Sequence, residues 1–221
     1  GGTALLVLTA EGFGASIAAT ASIRLGDGLT ASAAVGVEIS NMRRTVAAKV
    51  VPVAVSETFE VGGETLTLEL PAGPYLKVTA TALILTIAGQ VLTVDLSFEK
   101  STDIGADGAL GTGDDVTTQK IRFANLGLRL GTPDRDIVIV RDGSGAFDIV
   151  GKSGTTPGGI AGRVEATVEL LIPGVTFSGT LEVQVNTLTA AYDLIEAAGT
   201  TTLQPGIAVA GLGVTLEVMG Q

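Results

Sequence analysis

Four aspartates crowd one glycine-rich stretch, Asp103-Ile-Gly-Ala-Asp107-Gly108-Ala-Leu-Gly111-Thr-Gly113-Asp114-Asp115. Calcium is held by several hard oxygens on a tight, flexible loop. Counting Asp103 as position 1, Asp107 is position 5, Gly108 position 6 and Asp114 position 12. That is part of the EF-hand spacing, including the glycine of its sharp turn. Position 3 is Gly105 instead of Asp or Asn, and position 12 is not Glu. The stretch therefore has two readings. One is a calcium site of Asp103, Asp107, Asp114 and Asp115; the other is a solvated Gly/Asp turn. A second acidic feature is the pair Glu165 and Glu182, which the hairpin register derived below sets opposite each other. Two adjacent carboxylates can bind a cation or act as a glycosidase pair. The plainer reading is two solvated charges on a sheet surface, mildly repulsive. Glu57, Glu60, Glu64 and Glu69 form another acidic stretch, and Arg43, Arg44 and Lys49 read as a solvated basic strand end.

Composition removes most other chemistry. The 221 residues contain no His, Cys or Trp, and 23 acidic against 13 basic residues leave a net charge of -10. No Ser-His-Asp triad, thiol nucleophile, imidazole base or Cys/His zinc site can be built. No disulfide framework exists. An acidic chain is a poor partner for nucleic acid, which needs clustered Lys and Arg. The expectation is a protein that is not an enzyme.

The elements that would position these groups are strands. Ala15, Ile17, Ala19, Ala21, Ile23 and Leu25 alternate with Ser16, Ala18, Thr20, Ser22 and Arg24, and Leu29, Ala31, Ala33, Val35, Val37 and Ile39 with Thr30, Ser32, Ala34, Gly36, Glu38 and Ser40. Residues 164–172 and 175–185 alternate in the same way. Period-2 alternation predicts antiparallel sheet with one dry and one wet face, the dry face covering a core. No stretch has a capped 3.6-residue stripe, and residues 189–198 (TAAYDLIEAA) are the one plausible short helix. Parity fixes the hairpins, because a one-residue slip turns the core face outward. It places loops at Gly26-Asp27-Gly28, Pro173-Gly174 and Ala88-Gly89-Gln90, and pairs Ile23 with Ala31 and Ala21 with Ala33. The small dry-face residues Ala15, Ala19, Ala21, Ala31, Ala33 and Gly179 imply either closely packed sheets or a partly open apolar space. The latter would suit a lipid-like or hydrocarbon ligand.

Two uncharged stretches, 78–94 and 197–216, are interrupted by Thr, Gly, Gln or Pro and read as strands, so no membrane span is expected. Six Phe and two Tyr supply no aromatic girdle for a membrane barrel. The chain opens Gly1-Gly2-Thr3 without Met or a signal peptide, which reads as an excised or processed segment.

An internal repeat runs through the sequence. Residues 74–90 align with 205–221 at an offset of 131, with Pro74/Pro205, Val78/Val209, Leu85/Leu216, Gly89/Gly220 and Gln90/Gln221 identical. Residues 29–39 align with 175–185 at an offset of 146. Self-similarity in a common order marks a repeat architecture. The reading is a partial first unit, 1–90, followed by a second unit of about 131 residues, 91–221. The strand over 206–218 then lacks the equivalent of its partner, 91–99. An apolar edge left open is an aggregation hazard. The missing strand is therefore expected from a continuing chain or a neighbouring subunit.

Four phrases complete the picture: Leu70-Pro-Ala-Gly-Pro-Tyr-Leu76, Ile87-Ala-Gly-Gln90, the stretch 107–115 and Ile172-Pro-Gly-Val-Thr-Phe-Ser-Gly179. Together they resemble the long repeat regions of giant secreted or surface-anchored bacterial proteins, including adhesin-like calcium-binding ones. The calcium-binding nonapeptide G-G-x-G-x-D is absent. That absence argues against carrying over dense calcium binding, and the resemblance implies an extracellular or cell-surface β-rich repeat array and not an enzyme. Calcium as cofactor is the expectation from the loop 103–115, and neighbouring repeats or identical subunits as partners through β-strand continuation are the expectation from the strand over 206–218. The expected fold is all-β, with long antiparallel strands and hairpins in an elongated sandwich- or solenoid-like repeat.

Overall fold

The alternation is realised as strands from end to end. The computed structural model describes residues 1–25, 29–132 and 134–218, and no helix occurs among them. Ten strands form one antiparallel sheet in the order β1-β2-β3-β8-β9-β10-β11-β12-β13-β16. They are β1 (Gly2–Thr9), β2 (Gly12–Leu25), β3 (Leu29–Ser40), β8 (Tyr75–Ile87) and β9 (Gln90–Asp103). The others are β10 (Val116–Thr132), β11 (Arg135–Val150), β12 (Gly159–Ile172), β13 (Val175–Asn186) and β16 (Gly206–Val218). Three two-stranded hairpins stand apart: β4–β5 (Arg43–Val46 and Lys49–Pro52), β6–β7 (Val55–Val61 and Glu64–Leu70) and β14–β15 (Tyr192–Glu196 and Gly199–Leu203). The all-β, long-stranded expectation holds.

Paired residues share a face, so the register sorts the side chains. One row crosses all ten strands: Ala4, Ile17, Val37, Val78, Phe98, Ile121, Phe147, Gly162, Val185 and Ile207. One residue along, on the other face, Glu38, Lys77, Glu99, Lys120 and Asp148 lie side by side with alternating charge. Opposite charges as cross-strand neighbours add modest stability and fix the register against slips.

Among the described residues, however, the dry face covers no buried cluster. Both buried clusters sit on the polar face, under hairpins. Met42, Val55, Leu68 and Leu70 pack with Leu5 and Val7 beneath β6–β7. Ala146, Ala161, Leu194 and Leu203 pack with Leu188 and Tyr192 beneath β14–β15. The space is made by small residues: a Cβ on Gly14 of β2 would stand 2.8 Å from Val55, and Ala161 of β12 is fully buried. On the apolar face Leu8 is 79%, Ile23 59% and Val209 71% exposed. The connections from β3 to β8 and from β13 to β16 fold back over the polar side, and nothing among the described residues layers the other.

Two hairpin registers are as parity requires: Leu25 pairs with Leu29 and Ile172 with Val175. The loop 26–28 itself lies outside the described residues. The third expectation is corrected. Ile87 pairs with Gln90, so the loop is Ala88-Gly89 alone and Gln90 opens β9. Both loop residues have positive φ, 49° and 82°, the type I′ combination whose twist suits a hairpin. Parity failed because β8 carries a bulge at Ala82, φ 51°, where the β8–β9 register shifts between Ala80 and Leu83. The short helix expected over 189–198 is also absent. Tyr192–Glu196 is β14, with Leu194 buried on one side and Ile195 exposed on the other. Tertiary packing of Leu194 overrides the helix-forming composition.

Three strands recur with equal lengths. β2 and β12 have 14 residues each, β3 and β13 have 12, and β8 and β16 have 13. The bulge recurs too: the β3–β8 register shifts between Ser32 and Ala34, and the β13–β16 register between Ser178 and Thr180. At the end of β3, Ser40 accepts from the Met42 amide; at the end of β13, Asn186 accepts from the Leu188 amide. Both side chains are buried. Two hairpins lie between β3 and β8, and one lies between β13 and β16. Gly220 and Gln221 of the sequence alignment lie outside the described residues.

Candidate functional site: the open edge and the acidic clusters

β16 pairs with β13 on one side and forms the last strand of the sheet among the described residues. All of Gly206–Val218 is exposed, with Ile207 at 76% and Leu212 at 77%. The alternation of apolar residues with Ala, Gly and Thr makes this an edge of backbone donors and acceptors with one charge, Glu217. Natural sheets usually blunt such edges with charges, proline or short length. β1 is the other edge, and it is shorter, covering β2 only from Gly12 to Ala19.

β8, which has the same length and register shift as β16, is covered by β9, and the bulge decides how. The Ala82 amide leaves the ladder and donates to Asp95 Oδ1 at 2.5 Å. Asn125 Nδ2 of β10 donates to Asp95 Oδ2 at 2.6 Å. Those bonds, the Ala82 amide foremost, hold the Asp95 carboxyl below the usual carboxylate range. Asp95 is thus a peg joining bulges on two neighbouring strands. Sequence reasoning missed it; an aspartate inside a run of alternating apolar residues was the available signal.

Glu165 and Glu182 are cross-strand partners, as the register required. Between them stands Arg163, which the sequence reading overlooked. Its Nη2 is 2.5 Å from Glu165 Oε2 and 2.7 Å from Glu182 Oε2, and its Nη1 is 3.6 Å from Glu196 Oε1 of β14. Arg163 lowers the Glu182 carboxyl below its ordinary range, and Glu182 in turn raises the guanidinium's. A general acid needs a carboxyl held protonated near neutral pH; this arrangement does the reverse. The guanidinium ties the hairpin tip to the sheet. A parallel tie joins Arg122 Nη1 to the buried Asp148 at 2.7 Å, whose other oxygen accepts from the Tyr192 hydroxyl at 2.8 Å. Burial, with that bond, pushes the Tyr192 phenol up to about 12. Between the hairpin tip and the sheet lies a groove of about 470 Å³, bordered by Leu96, Phe123, Ala146, Arg163 and Ala197.

Asp107, Asp114 and Asp115 stand around the Thr112 hydroxyl without Asp103, and all four bond mainly to the loop's own backbone. Asp103 accepts from Gly105 N, Asp107 from Ala109 N, Asp114 from Ala106 N and Asp107 N, and Asp115 from Gly111 N. The Thr112 hydroxyl stands 2.8 Å from Asp114 Oδ1, 3.4 Å from Asp107 Oδ1 and 3.4 Å from Asp115 Oδ1. It lowers the Asp114 carboxyl, with the Asp107 amide adding to the effect. Among the described residues no three acidic side chains group closely enough to hold a metal unaided. Lys49 of β5 donates to the Asp107 carbonyl at 2.7 Å, and Leu110 N donates to Val50 O. Thus Lys49 docks the loop on the β4–β5 hairpin, whereas Arg43 and Arg44 stay exposed. Glu57, Glu60 and Glu64 are exposed on β6–β7 and converge on no site, and Glu69 lies on the same hairpin.

No protein-family description, curated protein or solved structure matches the chain. No helix among the described residues is long and apolar enough to cross a membrane.

Proposed function

We propose that the chain is a non-catalytic structural module of an extracellular bacterial repeat protein or fibre, whose units join by continuing the sheet from edge to edge. The carrying observation is β16, an exposed strand of 13 residues with the length and bulge of a strand that is covered elsewhere in the same sheet. Repeat assemblies draw stability from neighbour interfaces. The division into units 1–90 and 91–221 belongs to this reading and is supported by the recurring strands. So does calcium in the loop 103–115, supported by the carboxylate oxygens gathered around Thr112. Sedimentation velocity across a hundredfold concentration range tests the assembly. Larger species are expected to grow with concentration and to disappear in Ile207→Lys/Val209→Lys. A single monomeric species throughout removes joining between identical chains.

A second reading has its own support in the uncovered apolar face. A chain that exposes so continuous an apolar surface also suits a lipid or hydrocarbon ligand. Native mass spectrometry with added fatty acid tests it. Binding that is lost in Ile17→Glu favours this reading, and no adduct disposes of it.

A further inference from the structure

The free edge of β16 has more specificity than a bare row of amides. Its pairing with β13 shifts register between Ser178 and Thr180, leaving Gly213 outside the ladder with φ 61°. Ala82 lies 131 residues earlier, at the same place in β8, with φ 51°. At Ala82 the displaced amide points toward β9 and is met by Asp95. An L residue tolerates this left-handed backbone poorly and glycine adopts it without steric cost, so Gly213 takes the bulge conformation more easily than Ala82 does. Transferring the β8–β9 pairing by 131 residues sets the neighbours for the rest of the edge. Val209 corresponds to Val78, which faces Phe98; Gly211 to Ala80, which faces Leu96; Val214 to Leu83, which faces Val94; and Leu216 to Leu85, which faces Leu92.

We propose that the free edge of β16 receives an antiparallel strand of β9 chemistry from a neighbouring repeat unit, with an aspartate whose carboxylate accepts the Gly213 amide. The pattern is the one β9 carries in Leu92-Thr93-Val94-Asp95-Leu96-Ser97-Phe98, apolar at every second place with the acid at the centre. The inference deepens the strand-continuation reading and rests on it for the nature of the partner. The aspartate supplies both recognition and register. A strand slipped by two residues keeps the apolar alternation but sets its carboxylate away from the bulge. β1, the other free edge, has no acidic residue in Gly2–Thr9, so a second copy docking through β1 would leave the Gly213 amide unmet.

The test uses the whole chain and a labelled synthetic peptide of sequence 91–99, carrying two added lysines for solubility. Fluorescence anisotropy reads binding, and hydrogen exchange locates it. The expected result is saturable binding that slows exchange over 206–218 and leaves 2–9 unchanged. The same peptide with Asp95→Ala is expected to bind about tenfold more weakly, the loss of one charge-assisted hydrogen bond. Equal affinity of the two peptides, protection at β1, or no binding overturns the proposal. Sedimentation of the protein without peptide separates the two ideas. Self-association that persists while the peptide fails to bind at β16 overturns this partner and leaves strand continuation standing. Aspartate-dependent peptide binding by a strictly monomeric protein supports this partner and removes self-assembly.

Discussion

Arg163→Met tests whether the acidic pair on the polar face is held by its guanidinium. The arginine makes contacts of 2.5, 2.7 and 3.6 Å with Glu165, Glu182 and Glu196. Its side chain is 22% exposed, and those of its partners are 40%, 24% and 15% exposed, so solvent screens each contact. Partly exposed pairs are worth about 0.2–1 kcal/mol each. With the two short contacts near the top of that range, the set contributes about 2 kcal/mol. Methionine keeps most of the aliphatic stem, so little packing is lost. The loss should depend on pH with a definite sign. Arg163 holds the folded-state Glu182 carboxyl below its ordinary value of 4.5. The stabilisation is therefore fully present above about pH 4.5 and fades as the pH falls through the lower, folded value. In the variant, Glu165 and Glu182 face each other without a cation, and acid relieves the repulsion. Urea unfolding of both proteins at pH 7, 5.5, 4 and 3 should give a destabilisation of about 2 kcal/mol at pH 7 that shrinks toward zero at the acid end. A difference that stays constant with pH, or no difference at pH 7, would refute the electrostatic reasoning.

The remaining predictions concern packing, burial and the loop. Leu194 is fully buried beneath its hairpin, so Leu194→Ala should cost about 2–5 kcal/mol of hairpin docking. Hydrogen exchange should speed over 192–203 while the β12–β13 ladder stays protected, and uniform loss would contradict separate docking. Gly162→Ala would drive its Cβ into the Phe147 ring, at a cost of about 1–3 kcal/mol, and adding Phe147→Leu should recover most of it in chemical denaturation. Burial and the Asp148 contact raise the Tyr192 phenol to about 12. That part of the stability is complete below pH 10, the ordinary tyrosine value, and fades as the pH rises through 12. Ultraviolet titration should find a tyrosine ionising near 12 in the folded protein. Millimolar calcium should raise the melting temperature, and Asp114→Ala should erase the rise; an identical melt in calcium and in chelator ends the calcium proposal.

Local alternation made much of the sheet legible. The pairs Leu25–Leu29, Ile172–Val175 and Glu165–Glu182 follow from counting, because side chains in a strand alternate with period 2. The spacings of 131 and 146 land on strands of equal length. Counting failed at Ala82, where one extra residue in a bulge shifts parity and moves the turn to Ala88-Gly89. It failed again at 192–196, where Ala, Leu and Glu favour a helix locally but Leu194 is captured by the sheet beneath it.

The sequence by itself determined the class of structure, the long strands and the lack of imidazole and thiol chemistry. These depend on residue type and on spacings of one or two along the chain. Only the tertiary structure decided which face is covered. The hairpins close over the polar side, where Gly14 and Ala161 leave room and Ser40 and Asn186 anchor the turns. The apolar rows stay half-buried in the middle of the sheet and exposed toward its edges. It also brought Arg163 between two glutamates and Asp95 to the Ala82 bulge. These contacts lie on neighbouring strands, but they depend on where a bulge breaks the ladder and on which way a long side chain reaches, and no periodicity within a single strand encodes either.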